Sequence, residues 1–175
     1  MKRIILIIAL IIPLIATAQE SKLDSFFNKY SGQEGYSSVY ITQYMFDLLK
    51  KVNNAEEEKE YEDITSHLSG IKILTLSDGS SERKRAFLKE LNELLPKDQY
   101  KELMVVKEGR ETITFLIKEN GKKISEFVMK IEQDNEPGII FLEGDMTLRQ
   151  ISQLSDKMDV KGFEHLNELE NENHK

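Results

Sequence analysis

The 175-residue chain contains no cysteine and no tryptophan, and it has only three prolines and three histidines. Without cysteine, the chain has no disulfides, no thiolate nucleophile or metal ligand, and no lipid attached to a processed cysteine. Positive charge is also scarce, since 24 lysines and arginines face 31 acidic residues and leave a formal net charge of −7. This balance argues against nucleic-acid binding and against attachment to anionic lipid, because both depend on clustered lysine and arginine.

Long apolar runs are absent except at the N-terminus, where one run extends from Ile4 to Ile15 after Lys2-Arg3. It is shorter than the roughly 20 residues that a membrane-spanning helix requires. The small residues Ala16-Thr17-Ala18 follow it, as they do at a signal peptidase site. We therefore predict a signal peptide over residues 1–18, cleaved after Ala18. The product is expected to be a periplasmic or secreted protein with no membrane span.

The remaining chain is predicted to form a single α+β domain over residues 19–162, followed by a polar, partly mobile tail over residues 163–175. From residue 102 onward the apolar period is two, which predicts four strands, over residues 103–107, 112–118, 124–131 and 139–143. Short turns between them, of which Asn120-Gly121 is the clearest hairpin signal, predict an antiparallel meander. Shorter strands and helices precede the meander. We expect a largely antiparallel sheet, from this C-terminal four-strand meander plus N-terminal strands, with helices packed mainly on one face.

Three local signals add detail to this prediction. Ser21 is a candidate cap for the first helix, and Thr147 to Gln150 match a capping box for the last helix. A change of phase between Ile124 and Phe127 predicts a bulge in the third strand of the meander. The acidic run over residues 56–63 is predicted to be the solvated side of a helix, and a role beyond solubility stays open.

The sequence offers no catalytic, cofactor-binding or metal-binding motif. The acidic run lacks the glycine and the alternating oxygen ligands of a calcium loop. The serines near residues 77–81 lie at a strand-to-helix junction but lack both the P-loop and the nucleophile-elbow pattern. Glu143 and Asp145 are the candidate functional acids, although a turn at a strand end also favours such residues.

Two sets of apolar residues are candidates for binding. Tyr36, Tyr40 and Tyr44 are candidates for partner contact, with Tyr40 on the strand face opposite Val39 and Ile41, although core packing explains tyrosines of this kind at least as well. The second set is a group of large side chains that line a pocket for a small apolar ligand if the sheet is curved, and that otherwise form packed core; they are Phe115, Phe127, Met129 and Phe141.

Several segments together resemble a family of small exported bacterial proteins. The segments are Phe27–Gly35, Ser38–Ile41, Gly70–Leu74, Tyr100–Met104, Phe115–Lys118 and Gly138–Leu154, the last with Glu143-Gly144-Asp145 and Leu148-Arg149-Gln150-Ile151. On these segments the chain is similar to the domain-of-unknown-function family 4252 (DUF4252). The resemblance implies an envelope protein of Bacteroidetes-like bacteria and a link to envelope-response regulation. It implies no activity, cofactor or site residue.

Three hypotheses of function follow. The favoured one is an exported periplasmic, non-enzymatic interaction or regulatory module with a protein partner in the envelope. The alternative is a protein that binds a small apolar ligand. An enzyme is the third hypothesis, a hydrolase-like protein with a carboxylate site at Glu143 and Asp145. The sequence leaves the oligomeric state and the strand order open.

Overall fold

The computed structural model describes residues 21–52, 62 and 65–157. The predicted signal peptide and C-terminal tail, and nearly all of the acidic run, lie outside these residues. The described elements are α1 (Lys22–Tyr30), β1 (Tyr36–Thr42), α2 (Gln43–Val52), β2 (Leu68–Leu76), α3 (Ser81–Leu94), β3 (Lys101–Glu108), β4 (Glu111–Asn120), β5 (Lys123–Glu132), β6 (Gly138–Met146) and α4 (Leu148–Lys157). The strands form one sheet in the order β1-β2-β6-β5-β4-β3, and each neighbouring pair is antiparallel. The predicted α+β class is confirmed.

The sheet is covered on both faces, which differs from the expectation that the helices pack mainly on one face. On the first face, α1 and α3 bury Phe26, Phe87 and Leu91 against the sheet. On the second face, α2 and α4 contribute Phe46 and Ile151 to a separate core. The reason is visible in the central strands, where consecutive large apolar residues point to opposite faces and each face must be shielded from water. These runs are Phe115-Leu116-Ile117, Phe127-Val128-Met129 and Ile139-Ile140-Phe141-Leu142.

The helix starts follow the predicted capping chemistry. The Ser21 hydroxyl accepts a hydrogen bond from the backbone N–H of Asp24 at 3.0 Å. At α4, the Gln150 N–H donates to the Thr147 hydroxyl at 3.3 Å, and the Gln150 side chain accepts from the Thr147 N–H at 2.9 Å. These reciprocal bonds form the predicted capping box, so both predicted caps are confirmed.

The meander from β3 to β6 is confirmed, and so is its irregularity. The pairing register shifts between Lys118 and Glu119 on β4, and between Ile124 and Glu126 on β5 where it pairs with β6. The shift explains the change of apolar phase seen in the sequence, because an extra residue sends the following side chains to the other face.

The N-terminal half joins the meander through β2, which pairs with β6 on one side and β1 on the other. Close backbone contact secures this junction: the Asp145 N–H donates to the His67 carbonyl at 2.8 Å. A Cβ at Gly144 would overlap that carbonyl oxygen, so only glycine fits there. The two halves therefore form one continuous sheet, with β1 at one edge and β3 at the other.

Candidate functional site

A row of charged side chains crosses the first face of the sheet. Lys118 on β4 is the register partner of Glu126 on β5, and Glu126 is in turn the partner of Glu143 on β6. Lys72 on β2 contacts the far side of Glu143, with its Nζ 3.3 Å from Oε2. We call these four residues, with Asp24 and Tyr100, the polar row.

Glu126 is the most deeply buried charged residue of the polar row, with only 6% of its surface exposed. The Tyr100 hydroxyl donates to its Oε2, and the Lys118 ammonium donates to its Oε1 at 2.7 Å. Burial raises the pKa of Tyr100, and the hydrogen bond to Glu126 and the charges of Glu126 and Glu143 raise it further. The phenol therefore stays neutral and acts as a fixed donor to a buried carboxylate.

The other end of the polar row is organised around Lys72. Its ammonium pairs with the Asp24 carboxylate of α1 as well as with Glu143, so it links the helix to the sheet. The same ammonium lies over the Tyr40 ring, 4.8 Å from the centroid. Gly70 makes this arrangement possible, because a Cβ there would come within 2.8 Å of the Tyr40 ring.

Charge is nearly balanced along the polar row. Two cross-strand carboxylates would repel each other, but Lys118 compensates Glu126 and Lys72 compensates Glu143. Among the described residues, every buried side-chain nitrogen and oxygen has a hydrogen-bond partner. The geometry is that of a structural clamp that joins four strands, α1 and the segment before β3.

The predicted acid pair is not brought together in the way the sequence suggested. Glu143 points into the polar row, where its strand neighbour is Glu126, whereas Asp145 is exposed further along β6. In the described part of the chain, no group of three or more His, Asp or Glu side chains is placed to hold a metal ion.

The three tyrosines predicted as contact residues lie in different surroundings. Tyr36 is half-buried, with its ring 4.7 Å from that of Tyr30 and under the Arg83 guanidinium. Tyr40 is on the same face and is 52% exposed, whereas Tyr44 is on α2, which packs on the other face, and is 67% exposed. Tyr40 and Tyr44 are thus open to solvent, and Tyr36 is part of an aromatic cluster.

The exposed large apolar side chains of the described residues are concentrated in one stretch of chain. Five of the six belong to β1 or α2, and the sixth is Leu148 on α4. The five are Val39, Tyr40, Tyr44, Met45 and Leu48. Because β1 is also an edge strand, it combines exposed apolar side chains on both of its faces with main-chain groups that no described strand pairs with.

The proposed apolar pocket does not form from the residues predicted for it. Phe115, Phe127 and Met129 are fully buried in the core of the second face, and Phe141 is buried in the core of the first face. The sheet itself separates them, so they line no common cavity and are packed core.

A cleft of about 630 Å³ lies instead on the first face, beside the polar row. Its floor includes Tyr100, Leu116 and Thr114, and its rim carries three lysines and one acid, which are Lys97, Lys101, Lys130 and Glu102. The Lys130 ammonium donates to the Asn92 side chain at 2.7 Å, which holds the end of α3 against β5. Lys130 also pairs with Glu132 at 3.3 Å and Lys101 pairs with Glu119, so acidic side chains balance most of the positive charge around the cleft.

Comparison with known proteins decides the family. The family model described as "Domain of unknown function (DUF4252)" matches residues 30–154. The chain belongs to the DUF4252 family. The match begins at the last residue of α1 and ends within α4, so it includes all six strands described above. No curated protein and no solved structure matches the chain. None of the described helices of this DUF4252 protein is long and apolar enough to cross a membrane.

Most of the polar row of this DUF4252 protein was missed from the sequence. Glu126 and Lys118 lie on the side of their strands that is otherwise buried, which is the one available signal. Their pairing with each other depends on strand register, which the sequence pattern did not specify. Tyr100 lies before β3 and Asp24 on α1, so nothing local connects either to Glu126 or Lys72.

Proposed function

We propose that this DUF4252 protein is an exported, non-catalytic interaction module that binds another protein of the cell envelope through the edge of β1. One observation carries the proposal: β1 is an edge strand, and most of the exposed large apolar side chains of the described residues belong to it or to the helix that follows it. An unpaired strand edge with apolar side chains is a ready template for pairing with another chain.

The recognition mode that fits this surface is the addition of a strand to the sheet. An extended segment of a partner would bond to the outward main-chain groups of β1, and these bonds would supply affinity. Val39 and Tyr40 lie on opposite faces of the strand, so they would contact alternate side chains of that segment and supply selectivity.

Export is supported by the order of charged, apolar and small residues over residues 1–18. Intact-mass measurement of the protein recovered from its host tests it. A chain that begins at Gln19 is the expected result, and a chain that retains residues 1–18 would contradict export by this route.

A binding role rather than catalysis is supported by the state of the polar row. The Glu143 carboxylate accepts a hydrogen bond from Lys72, and the Glu126 carboxylate accepts hydrogen bonds from Lys118 and Tyr100. These groups are therefore engaged in contacts within the protein. A general acid or base must instead have access to a substrate proton.

The test is a crosslinking pull-down of the tagged, full-length chain from its host envelope, with two matched lysine variants. Val39→Lys charges the β1 edge, and Leu148→Lys charges α4 at a residue of nearly equal exposure, 44% against 45%. We expect a saturable partner to be captured by wild type and by Leu148→Lys and lost from Val39→Lys. Equal capture by all three chains would contradict the proposal.

The cleft beside Tyr100 supports a second candidate function, the binding of a small anion with an apolar tail. Its apolar floor suits the tail, and the Lys97 ammonium in its lining suits a carboxylate. Thermal-shift measurements with dodecanoate and with dodecanol separate the contribution of the carboxylate from that of the apolar tail. A rise in melting temperature with dodecanoate only, reduced in Lys97→Met, supports the site. No shift with either compound contradicts it.

A further inference from the structure

β1 differs from the other edge strand in carrying no charge. Its sequence, YSSVYIT, has no acidic or basic residue, whereas β3 has a lysine and a glutamate at each end. Natural edge strands are commonly protected against pairing with another chain by such charges. β3 therefore has this charge protection and β1 lacks it.

The direction of the main-chain groups on β1 follows from hydrogen bonds at its start. The Ser77 N–H donates to the Gly35 carbonyl at 3.0 Å, so in this antiparallel ladder the odd-numbered residues bond to β2. The even-numbered residues point away from β2, in agreement with the Tyr36 N–H, which bonds to Gln33 in the preceding turn. Ser38 and Tyr40 thus present their N–H and C=O groups at the free edge.

We propose that the β1 edge pairs antiparallel with β1 of a second copy of this chain, on a two-fold axis at Val39. The inference rests on the proposed use of the β1 edge as a pairing site, for which a second copy and the envelope partner would compete. Ser38 of each copy would exchange both main-chain bonds with Tyr40 of the other, and the two Val39 residues would form a non-hydrogen-bonded pair at the axis.

Strand length favours this register over its neighbours. A two-fold strand pair must join residues on the same face, so its axis lies at a residue and not between residues. Val39 is the central residue of β1, so an axis there pairs all seven residues of the strand, with Tyr40 opposite Ser38, Ile41 opposite Ser37 and Tyr36 opposite Thr42. An axis at Ser38 or at Tyr40 would pair only five of the seven residues.

Charge disfavours the two central registers in which β3 would pair with itself. An axis at Met104 would bring Lys101 opposite Lys107, and an axis at Val105 would bring Glu102 opposite Glu108. Each like-charged pair would occur twice in a symmetric dimer, and like charges directly opposite are destabilising. Self-pairing through β1 brings no charges together.

The Tyr40 side chain leaves the edge accessible despite its size. Its ring leans inward over Gly70 and the Lys72 ammonium, away from the free edge.

A seven-residue strand pair buries less surface than a standard interface of roughly 1,200–2,000 Å². The dimer is therefore expected to be weak and concentration-dependent. The exposed residues of α2 would lie beside the paired strands.

A single engineered cysteine tests the pairing, because the natural chain has none. The Cα atoms of a non-hydrogen-bonded pair are about 4.5 Å apart, within the range that a disulfide spans. Val39→Cys in the full-length chain should therefore form a disulfide-linked dimer on mild oxidation. Val105→Cys, at the middle of the other edge, is the control and should stay monomeric.

Sedimentation of the uncrosslinked protein from micromolar to millimolar concentration gives the second measurement. We expect a monomer–dimer equilibrium for wild type and for Val39→Thr. In Val39→Lys, self-association should be at least about tenfold weaker, because it places two ammonium groups at the axis.

A wild-type chain that is monomeric throughout, with no more disulfide from Val39→Cys than from Val105→Cys, overturns the inference. Slow amide exchange at Ser38 and Tyr40 in such a monomer would mean that the chain itself covers the edge. If the monomer still captures an envelope protein that Val39→Lys loses, self-pairing fails and the proposed function stands. If the chain dimerises and Val39→Lys captures the envelope protein as well as wild type does, self-pairing stands and the proposed function fails.

Discussion

Replacing Tyr100 by phenylalanine tests whether the polar row stabilises the fold. The change removes only the hydroxyl that donates to Glu126, and it leaves the ring and its packing in place. Both residues are buried, so water does not replace the lost donor. Hydrogen bonds to charged groups contribute about 1.5–3 kcal/mol, and we expect a loss of about 2 kcal/mol in the free energy of unfolding at neutral pH. For a chain of this length that is a decrease of about 4–8 °C in melting temperature.

The same substitution predicts a specific dependence on pH. Burial and the hydrogen bond to Glu126 raise the pKa of Tyr100 in the folded protein above its ordinary value of 10.0. The unfolded chain therefore loses the phenolic proton first, and the stability that Tyr100 contributes is complete below pH 10 and is lost as the pH rises beyond it. The stability difference between wild type and Tyr100→Phe should shrink by about 0.8 kcal/mol between pH 8 and about pH 10.5.

Urea denaturation of both chains across this pH range is the assay, with Tyr44→Phe as the control. Tyr44 is 67% exposed, so its hydroxyl is solvated and its removal should change stability by less than about 0.5 kcal/mol. A cost below about 0.5 kcal/mol for Tyr100→Phe would contradict a stabilising hydrogen bond from Tyr100 to Glu126. A difference from wild type that stays constant with pH would contradict it too.

Two further substitutions test the junction of the sheet and the link to α1. Gly144→Ala should lower the free energy of unfolding, measured by urea denaturation, by about 3 kcal/mol, because the new methyl group overlaps the His67 carbonyl. Gly32→Ala should lower it by about 1 kcal/mol, because the only penalty there is the positive φ of the backbone. Similar costs for the two would contradict the close approach. Lys72→Met should cost about 2–3 kcal/mol, because it leaves two acids that are mostly buried without their shared cation, and exposed Lys22→Met should cost less than about 0.5 kcal/mol. A Lys72→Met chain as stable as wild type would show that this link contributes nothing to the stability of the fold.

The parts of the fold that depend on neighbours in sequence were predictable. The meander follows from alternating apolar residues and from short turns such as Asn120-Gly121. The caps at Ser21 and Thr147 are local side-chain-to-backbone bonds, and their residue types identify them. Even the bulge near Glu126 left a trace, as a break in the apolar alternation.

The parts that depend on contacts distant in sequence were not predictable. The pairing of β2 with β6 joins residues about 70 positions apart, and no turn specifies it. Without that pairing, nothing indicated that Lys72 meets Glu143. The opposite faces of Phe115 and Phe141 likewise depend on the register across β4, β5 and β6, so a shared pocket was compatible with the sequence and incompatible with the sheet.

We expect this DUF4252 protein to contact another protein through the β1 edge. The most direct measurement is photo-crosslinking in the native host, with a photoreactive residue placed at position 39 and, separately, at position 148 of the full-length chain. Val39 and Leu148 are almost equally exposed, so non-specific capture should be similar at the two positions. We predict a defined adduct from position 39, with a second copy or another envelope protein, and little or none from position 148. Adducts of equal yield from both positions, or none from position 39, would contradict it.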